Sequence, residues 1–245
     1  MVRSIIQMKE LTTIRPANPI IDLLEAAKSA FAPDPKESNL KSASNMLVLV
    51  VIGYYKKDSF CHKGIKEAVL DELIADGIKY IIIDLYEDEF DPSYQEKNKL
   101  LIQRYQRFIK RSTHIVFISP VWWFRCTSML EGFFDQVFTP NFAYKFKQIT
   151  GTYGLPVPLL KDKRVLTYLT HGAPALPVLT LYLNSVKLRL SLGVFSFTFG
   201  WFNAIIRQFF SVPFCSEEKR KKYLKRVRKD INREIKNFHD IQWLT

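Results

Sequence analysis

The chain is poor in cysteine. Its 245 residues include three, Cys61, Cys126 and Cys215, which lie far apart with no CxxC pair and no histidine at ligand spacing. A disulfide framework and a zinc site are therefore not expected, and a reducing compartment, the cytoplasm, is the default. Long uncharged apolar runs are missing as well. The nearest, 190–206, is rich in Phe but interrupted by Ser191, Ser196, Thr198 and Asn203, so no membrane span is expected. The first residues lack an apolar core with a cleavage site, which argues against a secretory signal. There is no P-loop pattern and no internal repeat. Acidic residues are outnumbered: 24 Asp and Glu stand against 36 Lys and Arg, a formal net charge of +12. That excess points towards anionic partners, whether phosphorylated cofactors, nucleic acid or acidic membrane, without choosing among them.

Apolar and aromatic residues are plentiful, at 47% and 14% of the chain. This is ample for one globular domain plus an appendage. Residues 1–45 read as the appendage, broken by Pro16, Pro19, Pro33 and Pro35. Between them Ile20, Leu23, Leu24, Ala27 and Phe31 make a helical stripe, and 36–45 is a polar linker. A helix packed on the domain and a helix docking a partner or a membrane surface both remain open. The domain proper is 46–245. Apolar strands are expected at 46–52, 79–84, 115–120, 165–169 and 194–199, with helices at 62–76, 96–111, 127–138, 176–190 and 216–238. The last helix buries Leu224, Val227, Ile231, Ile235 and Phe238, and its opposite face carries Lys219, Arg220, Lys221, Lys222, Lys225, Arg226, Arg228 and Lys229. Such a face is most simply solvated; binding of nucleic acid or acidic lipid is the alternative.

Alternating strands and helices over roughly 200 residues suit an α/β fold with a doubly wound parallel sheet. Its ligand site would lie at the carboxyl ends of the strands. One stretch dominates there. The apolar run Ile115–Ser119 ends at Pro120, and Val121-Trp122-Trp123-Phe124 follows before the next helix. Aromatics at such an edge suit a flat conjugated ligand, but they also fill ordinary cores, and the local pattern leaves both readings open. After the first strand, Gly53 to Cys61 leads into a helix whose N-terminus offers backbone N–H groups to a phosphate. Ser59 can add a hydroxyl there, and Lys56 and Lys57 add charge. The bland alternative is a simple turn with solvated lysines. His114, at the start of the third strand, reads as a surface residue.

The motif order resembles the NAD(P)H:quinone oxidoreductase and flavodoxin-like NAD(P)H-dependent FMN reductase family. Pro120-Val121-Trp122-Trp123-Phe124, Leu130-Glu131-Gly132, Asp135-Gln136-Val137-Phe138 and Asn141-Phe142-Ala143-Tyr144 follow one another as that family's segments do. Asp84-Leu85-Tyr86 with Phe90-Asp91-Pro92 matches upstream, and Thr170-His171-Gly172-Ala173-Pro174 stands in place of the family's Gly-containing loop. The departures are Gly53-Tyr54 for His-Pro, Thr127-Ser128 for Pro-Ala, Glu131 for Lys and Gln136 for Arg.

The resemblance implies a flavodoxin-like five-stranded sheet of order 2-1-3-4-5. It implies FMN as cofactor (FAD being the alternative) and NAD(P)H as co-substrate. Hydride would pass by a ping-pong route to a quinone or another small two-electron acceptor. Lys57, Ser59 and Phe60 would hold the phosphate. Pro120, Val121, Trp122, Trp123 and Phe124 would hold the ring, with backbone N–H groups at its edge, and Thr170, His171, Gly172 and Ala173 would face its pyrimidine side. His171 would help carry negative charge, and Tyr144 with Phe146 would shape the acceptor pocket, in a homodimer from the second subunit. No nucleic-acid partner is implied, and peripheral membrane contact stays open. The alternative in another class is a flavodoxin-like regulatory or interaction protein.

Overall fold

A computed structural model describes residues 46–93, 98–148 and 154–236, all within the second of the chain's two units, Pro35–Thr245. The expected appendage at 1–45, the first residues of the helix expected from 96, and the end of the last helix beyond 236 lie outside the described residues.

Strands β1 (Leu47–Ile52), β2 (Lys79–Asp84), β3 (His114–Pro120), β6 (Arg164–Thr170) and β7 (Ala204–Phe209) form one parallel sheet in the order β2-β1-β3-β6-β7. Strands β4 (Tyr144–Gln148) and β5 (Gly154–Pro158) make a separate antiparallel pair. Counting only the main sheet, the order is 2-1-3-4-5, as the sequence suggested. Every residue of β1 and β3 is buried. That is why both read as continuous apolar runs: a central parallel strand is covered on both faces.

Helices cover the two faces. On one side lie a wide π-helical segment, Phe60–Lys66, running on into α1 (Glu67–Ala75), and the terminal helix α7 (Glu217–Ile231). On the other lie α2 (Lys99–Arg111), α3 (Ser128–Val137) and a broken helical run. That run comprises α4 (Ala175–Leu179), α5 (Ser185–Leu188), a π-helical turn at Arg189–Phe195 and α6 (Ser196–Thr198). Its core neighbours Phe117, Phe133, Phe134, Phe138, Phe195 and Phe199 form one network of ring contacts with centroids 5.3–6.4 Å apart.

Three expectations are corrected here. Residues 194–199 are helical, and the fifth strand is Ala204–Phe209. Phe195 and Phe199 are fully buried while Phe197 is exposed, so the run obeys a four-residue spacing that its alternation of Phe conceals. The helix expected at 176–190 is likewise broken, with Leu183 and Asn184 at positive φ between its two short pieces. His114 is fully buried, its Nδ1 2.9 Å from the Thr113 hydroxyl, rather than at the surface.

The residues at which the chain departs from the family's motifs have local structural roles. Thr127 caps α3 and donates its hydroxyl to the carbonyl of Gly53 at 2.5 Å. A β-carbon on Gly53 would meet Leu130 Cβ at 2.9 Å and Thr127 Oγ1 at 3.1 Å, so only glycine lets the β1 loop lie this close to α3. Gly132 approaches Pro92 in the same way: an added Cβ would stand 2.7 Å from the proline Cα. Gln136 accepts from Asn98 at 2.9 Å and donates to the carbonyl of Asp91 at 2.8 Å. The loop after β2 is thereby pinned to α3.

Candidate functional site

A cleft of about 490 Å³ opens at the carboxyl ends of β1, β3, β6 and β7, within the size range of small-ligand sites. Three loops and a helix end build it.

At one end is the entry to the Phe60–Lys66 segment. Ser59 is its N-cap, with extended backbone (φ −75°, ψ 163°) and a hydroxyl that accepts from the N–H of His62 at 3.4 Å. The N–H of Lys63 goes to the carbonyl of Ser59 at 2.9 Å. Phe60 and Cys61 come first in the helix, so no carbonyl within it can accept their N–H groups. Both line the cleft, as do Ser59, Lys56 and Arg220. Arg220 reaches in from the first turn of α7 and donates to the carbonyl of Val212 at 3.1 Å. It reads in sequence as part of a solvated basic face; the clue available was its place one turn after the Ser216 cap, where the chain returns from a strand end. Lys57 is not part of the lining. Its ammonium is held by Asp84 and by Glu87 at 2.7 Å, and these partners raise its pKa against the opposing effect of burial.

At the other end are Pro120, Val121 and Trp122 from β3, and Thr170, His171 and Gly172 from β6, with Tyr54 beside them. Trp122 and Arg125 exchange both backbone hydrogen bonds, at 2.8 and 3.1 Å. Trp123 and Phe124 between them have φ of 48° and 62°, positive values at both central positions that mark a type I′ turn. Trp123 is 91% exposed, and Phe124 lies against Tyr182 with ring centroids 4.1 Å apart. Neither lines the cleft, and neither does Ala173. The N–H groups of Val121, Trp122 and His171 already donate to the carbonyls of Thr170, Arg125 and Phe209. In this arrangement those three are not available to the edge of a bound ring.

His171 is buried, stacks on Phe210 with centroids 4.8 Å apart, and has Nε2 3.0 Å from Gln208 Oε1. Gln208 in turn donates through Nε2 to Asn184, which leaves its carbonyl oxygen facing the imidazole and places the His171 proton on Nε2. Burial lowers the His171 pKa to about 4. The ring is therefore neutral near pH 7, and what it can offer a bound group is a dipole rather than a full positive charge. His62, hydrogen-bonded to the carbonyl of Tyr54 at 2.7 Å, is also lowered by burial. The Cys61 thiol, 3.4 Å from the Thr170 hydroxyl, is pushed up to about 12 by burial, so it is not a nucleophile.

Tyr144 and Phe146 lie elsewhere. Their rings meet edge to face at 5.5 Å in a second, apolar cleft of about 380 Å³ between α3, the β4–β5 pair and the turn around Val194. One subunit alone does not bring Tyr144 to His171. A third recess, of about 360 Å³, lies on the far side of the aromatic turn, with Trp122, Trp123, Arg125, Glu131 and Asp135 in its wall. Glu131 accepts from the N–H of Cys126 at 2.9 Å and faces Arg189 at 2.5 Å. Burial raises its pKa, with Arg189 opposing the rise. Among the described residues no cluster of His, Cys, Asp and Glu could hold a metal ion.

A parallel sheet of this order, with its cleft at the carboxyl ends and a capped helix N-terminus at one side, defines the flavodoxin-like class. A family model described as flavodoxin-like fold matches residues 46–229, and the chain belongs to that family. An uncharacterised NAD(P)H oxidoreductase of Haemophilus influenzae is 32% identical over 106 residues, 40% of this chain and 50% of that protein. NAD(P)H dehydrogenase (quinone) 1 of Cavia porcellus is 25% identical over 154 residues, 52% of this chain and 54% of that protein. The chain thus spans about half the length of these relatives. Among solved structures, an NAD(P)H:quinone oxidoreductase from Methanothermobacter marburgensis superposes with a TM-score of 0.63 at 18% identity, over 77% of this chain and 98% of that one. An FMN-dependent NADH-azoreductase from Bacillus anthracis in complex with FMN gives 0.61 at 16% identity, over 77% and 98%. At such identities these structures speak for the fold.

Proposed function

We propose that the chain is an FMN-dependent NAD(P)H oxidoreductase that delivers hydride to quinones or similar two-electron acceptors by a ping-pong route. One observation carries this reading. The 490 Å³ cleft is polar at one end, with Lys56, Arg220 and an Asp58 carboxylate that Lys63 pairs, and flat and aromatic at the other, the two kinds of surface that a flavin mononucleotide requires. The capped helix entry, Lys56 and Arg220 suit a phosphate dianion. Trp122, Pro120 and the Thr170–Gly172 loop suit a planar ring.

FMN, when bound, supplies the two-electron chemistry. The chain's own groups bind and position it. Ser59, with the N–H groups of Phe60 and Cys61, would anchor the phosphate. Trp122 would cover one side of the ring, and neutral His171, fixed by Gln208, would present a polar edge beside Thr170. The relatives named as NAD(P)H oxidoreductase and quinone dehydrogenase support the choice of nicotinamide and quinone. A homodimer that brings Tyr144 and Phe146 to the partner's cleft is part of the proposal.

The test is the visible spectrum of the purified protein, before and after anaerobic NADPH. A flavin spectrum that bleaches is the expected result. A colourless protein that also takes up no added FMN would overturn the reading in favour of a regulatory protein of the same fold.

A further inference from the structure

The aromatic turn that brings Trp122 to the cleft is strained. Trp123 and Phe124 lie in the left-handed backbone region, where bulky side chains are uncommon. Such a conformation persists only where its surroundings over-determine it. Here the surroundings can be named. On the incoming side, the N–H of Val121 donates to the carbonyl of Thr170 at 2.8 Å. On the outgoing side, the N–H of Cys126 donates to Oε1 of Glu131 at 2.9 Å, and that of Thr127 to the Ser119 hydroxyl at 3.3 Å.

Glu131 is placed one residue beyond a capping box. In that motif an acidic or amide side chain at the third helical residue reaches back to the N–H of the cap itself. The cap of α3 is Thr127, which makes Glu131 the fourth helical residue. Its carboxylate passes the cap and takes the N–H of Cys126, the residue that directly follows the turn. Cys126 is buried, so without Glu131 this donor would lose its acceptor in a place water does not reach. Burial works against a charged Glu131, and Arg189 opposes that effect by meeting Oε2 as an ion pair. Arg189 opens the π-helical turn Arg189–Phe195, in the same stretch after β6 as Tyr182, whose ring lies on Phe124. That stretch therefore holds the turn at two points, by a ring contact and by charge. The lysine that the resembled family carries in place of Glu131 has no acceptor to offer Cys126, and it would face Arg189 with a like charge. Glu131 does not line the main cleft, so any effect it has there passes through the turn.

We propose that Glu131 is a positioning residue: paired with Arg189, it holds the Trp122–Arg125 turn through the N–H of Cys126 and thereby sets the Trp122 face of the cleft. The hold on the turn follows from the geometry alone; its consequence for FMN rests on the oxidoreductase reading above.

The experiment uses the full chain and reads FMN affinity by fluorescence titration beside the melting temperature. Glu131→Ala is expected to weaken FMN binding about tenfold, a coupling of ordinary size between side chains in one network. Glu131→Gln, which keeps an acceptor for Cys126, is expected to stay within about threefold of the wild type. In a Trp122→Ala background, Glu131→Ala is expected to change the affinity by less than about twofold, because the side chain it positions is gone. A purely structural glutamate would lower the affinity by the same factor with Trp122 present or absent, and that result would overturn the proposal. So would wild-type affinity in Glu131→Ala. Arg189→Met covers the case in which Glu131→Ala does not fold. Its weakening of FMN binding is likewise expected to vanish with Trp122→Ala, and its persistence there would overturn the proposal.

Amide exchange without FMN separates this role from the flavin reading. Glu131→Ala is expected to speed exchange at Trp122, Arg125 and Cys126 at least about tenfold while the amides of β3 hold. Unchanged exchange at those three would overturn the positioning role whatever FMN does. Faster exchange with no FMN uptake by any form of the protein would overturn the oxidoreductase reading instead, leaving the hold on the turn in place.

Discussion

The Nε2 nitrogen of His171 donates to Oε1 of Gln208 across 3.0 Å, tying the loop after β6 to the edge strand β7. Burial holds this imidazole at a pKa of about 4, and His114, also buried, at about 4. In the unfolded chain both return to about 6.5. Above that value both states are neutral and the fold keeps its full stability. Between about 6.5 and 4 the unfolded chain takes protons that the folded one refuses, so stability falls as pH falls. Each imidazole accounts for at most about 3 kcal/mol of this loss. Melting temperatures across pH 7.5 to 4, compared with those of His171→Gln, are expected to show a shallower decline in the variant.

Ser59 and Arg220 separate two ways of weakening the cleft. Ser59→Ala removes a helix cap and is expected to destabilise the fold by about 1 kcal/mol while also lowering FMN uptake. Arg220→Ala leaves the cap in place and is expected to weaken FMN binding about tenfold, the loss of one charge-assisted hydrogen bond to phosphate. Lys57→Ala, whose ammonium already faces Asp84 and Glu87, is expected to change FMN affinity less than Arg220→Ala. Fluorescence titration with FMN and urea denaturation read the two effects separately.

Gly53 and Gly132 are both pressed against neighbours that cannot withdraw without moving backbone. Alanine at either position is expected to destabilise by about 1–3 kcal/mol, the usual range for overpacking. The check is the midpoint of chemical unfolding.

Asp230 is buried and accepts from Arg207 at 2.7 and 2.9 Å, with Arg226 at 3.3 Å. This pairing fixes α7 to the edge strand. Asp230→Ala would strip the partly exposed Arg207 of both bonds, with Tyr168 and Glu234 as remaining electrostatic neighbours, and a loss of about 3 kcal/mol, the low end for a broken buried pair, is expected. Asp230→Asn, which keeps an acceptor, is expected to lose less, as measured by thermal unfolding.

The parts of the fold that sequence pattern revealed are those in which a single constraint dominates. β1 and β3 are covered on both faces, so burial wrote an unbroken apolar run. β7 was missed because it lies at the sheet edge: Arg207 and Gln208 interrupt it, each engaged with a distant partner, Asp230 and His171, that no local window contains. The run just before it misled for a related reason. Phe195 and Phe199 satisfy both a two-residue and a four-residue spacing, and only the exposure of Phe197 separates the two. In the cleft, Ser59, Phe60, Pro120, Val121, Trp122, Thr170, His171 and Gly172 came together from motifs adjacent to strand ends. Arg220 arrives from a helix remote in sequence, and Lys57 is drawn off by carboxylates on and just after β2. Such long-range electrostatic choices leave no periodic trace.

The turn from Trp122 to Arg125 has a bearing on how the protein would respond to selection for robustness. Its two central residues occupy a backbone region where each side chain costs roughly 1–2 kcal/mol, and glycine would sit there without strain. Trp123→Gly would therefore relax the loop and leave the core untouched. A search for hardier variants of this protein would be drawn to that change early, and would erase the most exposed ring beside the cleft in making it.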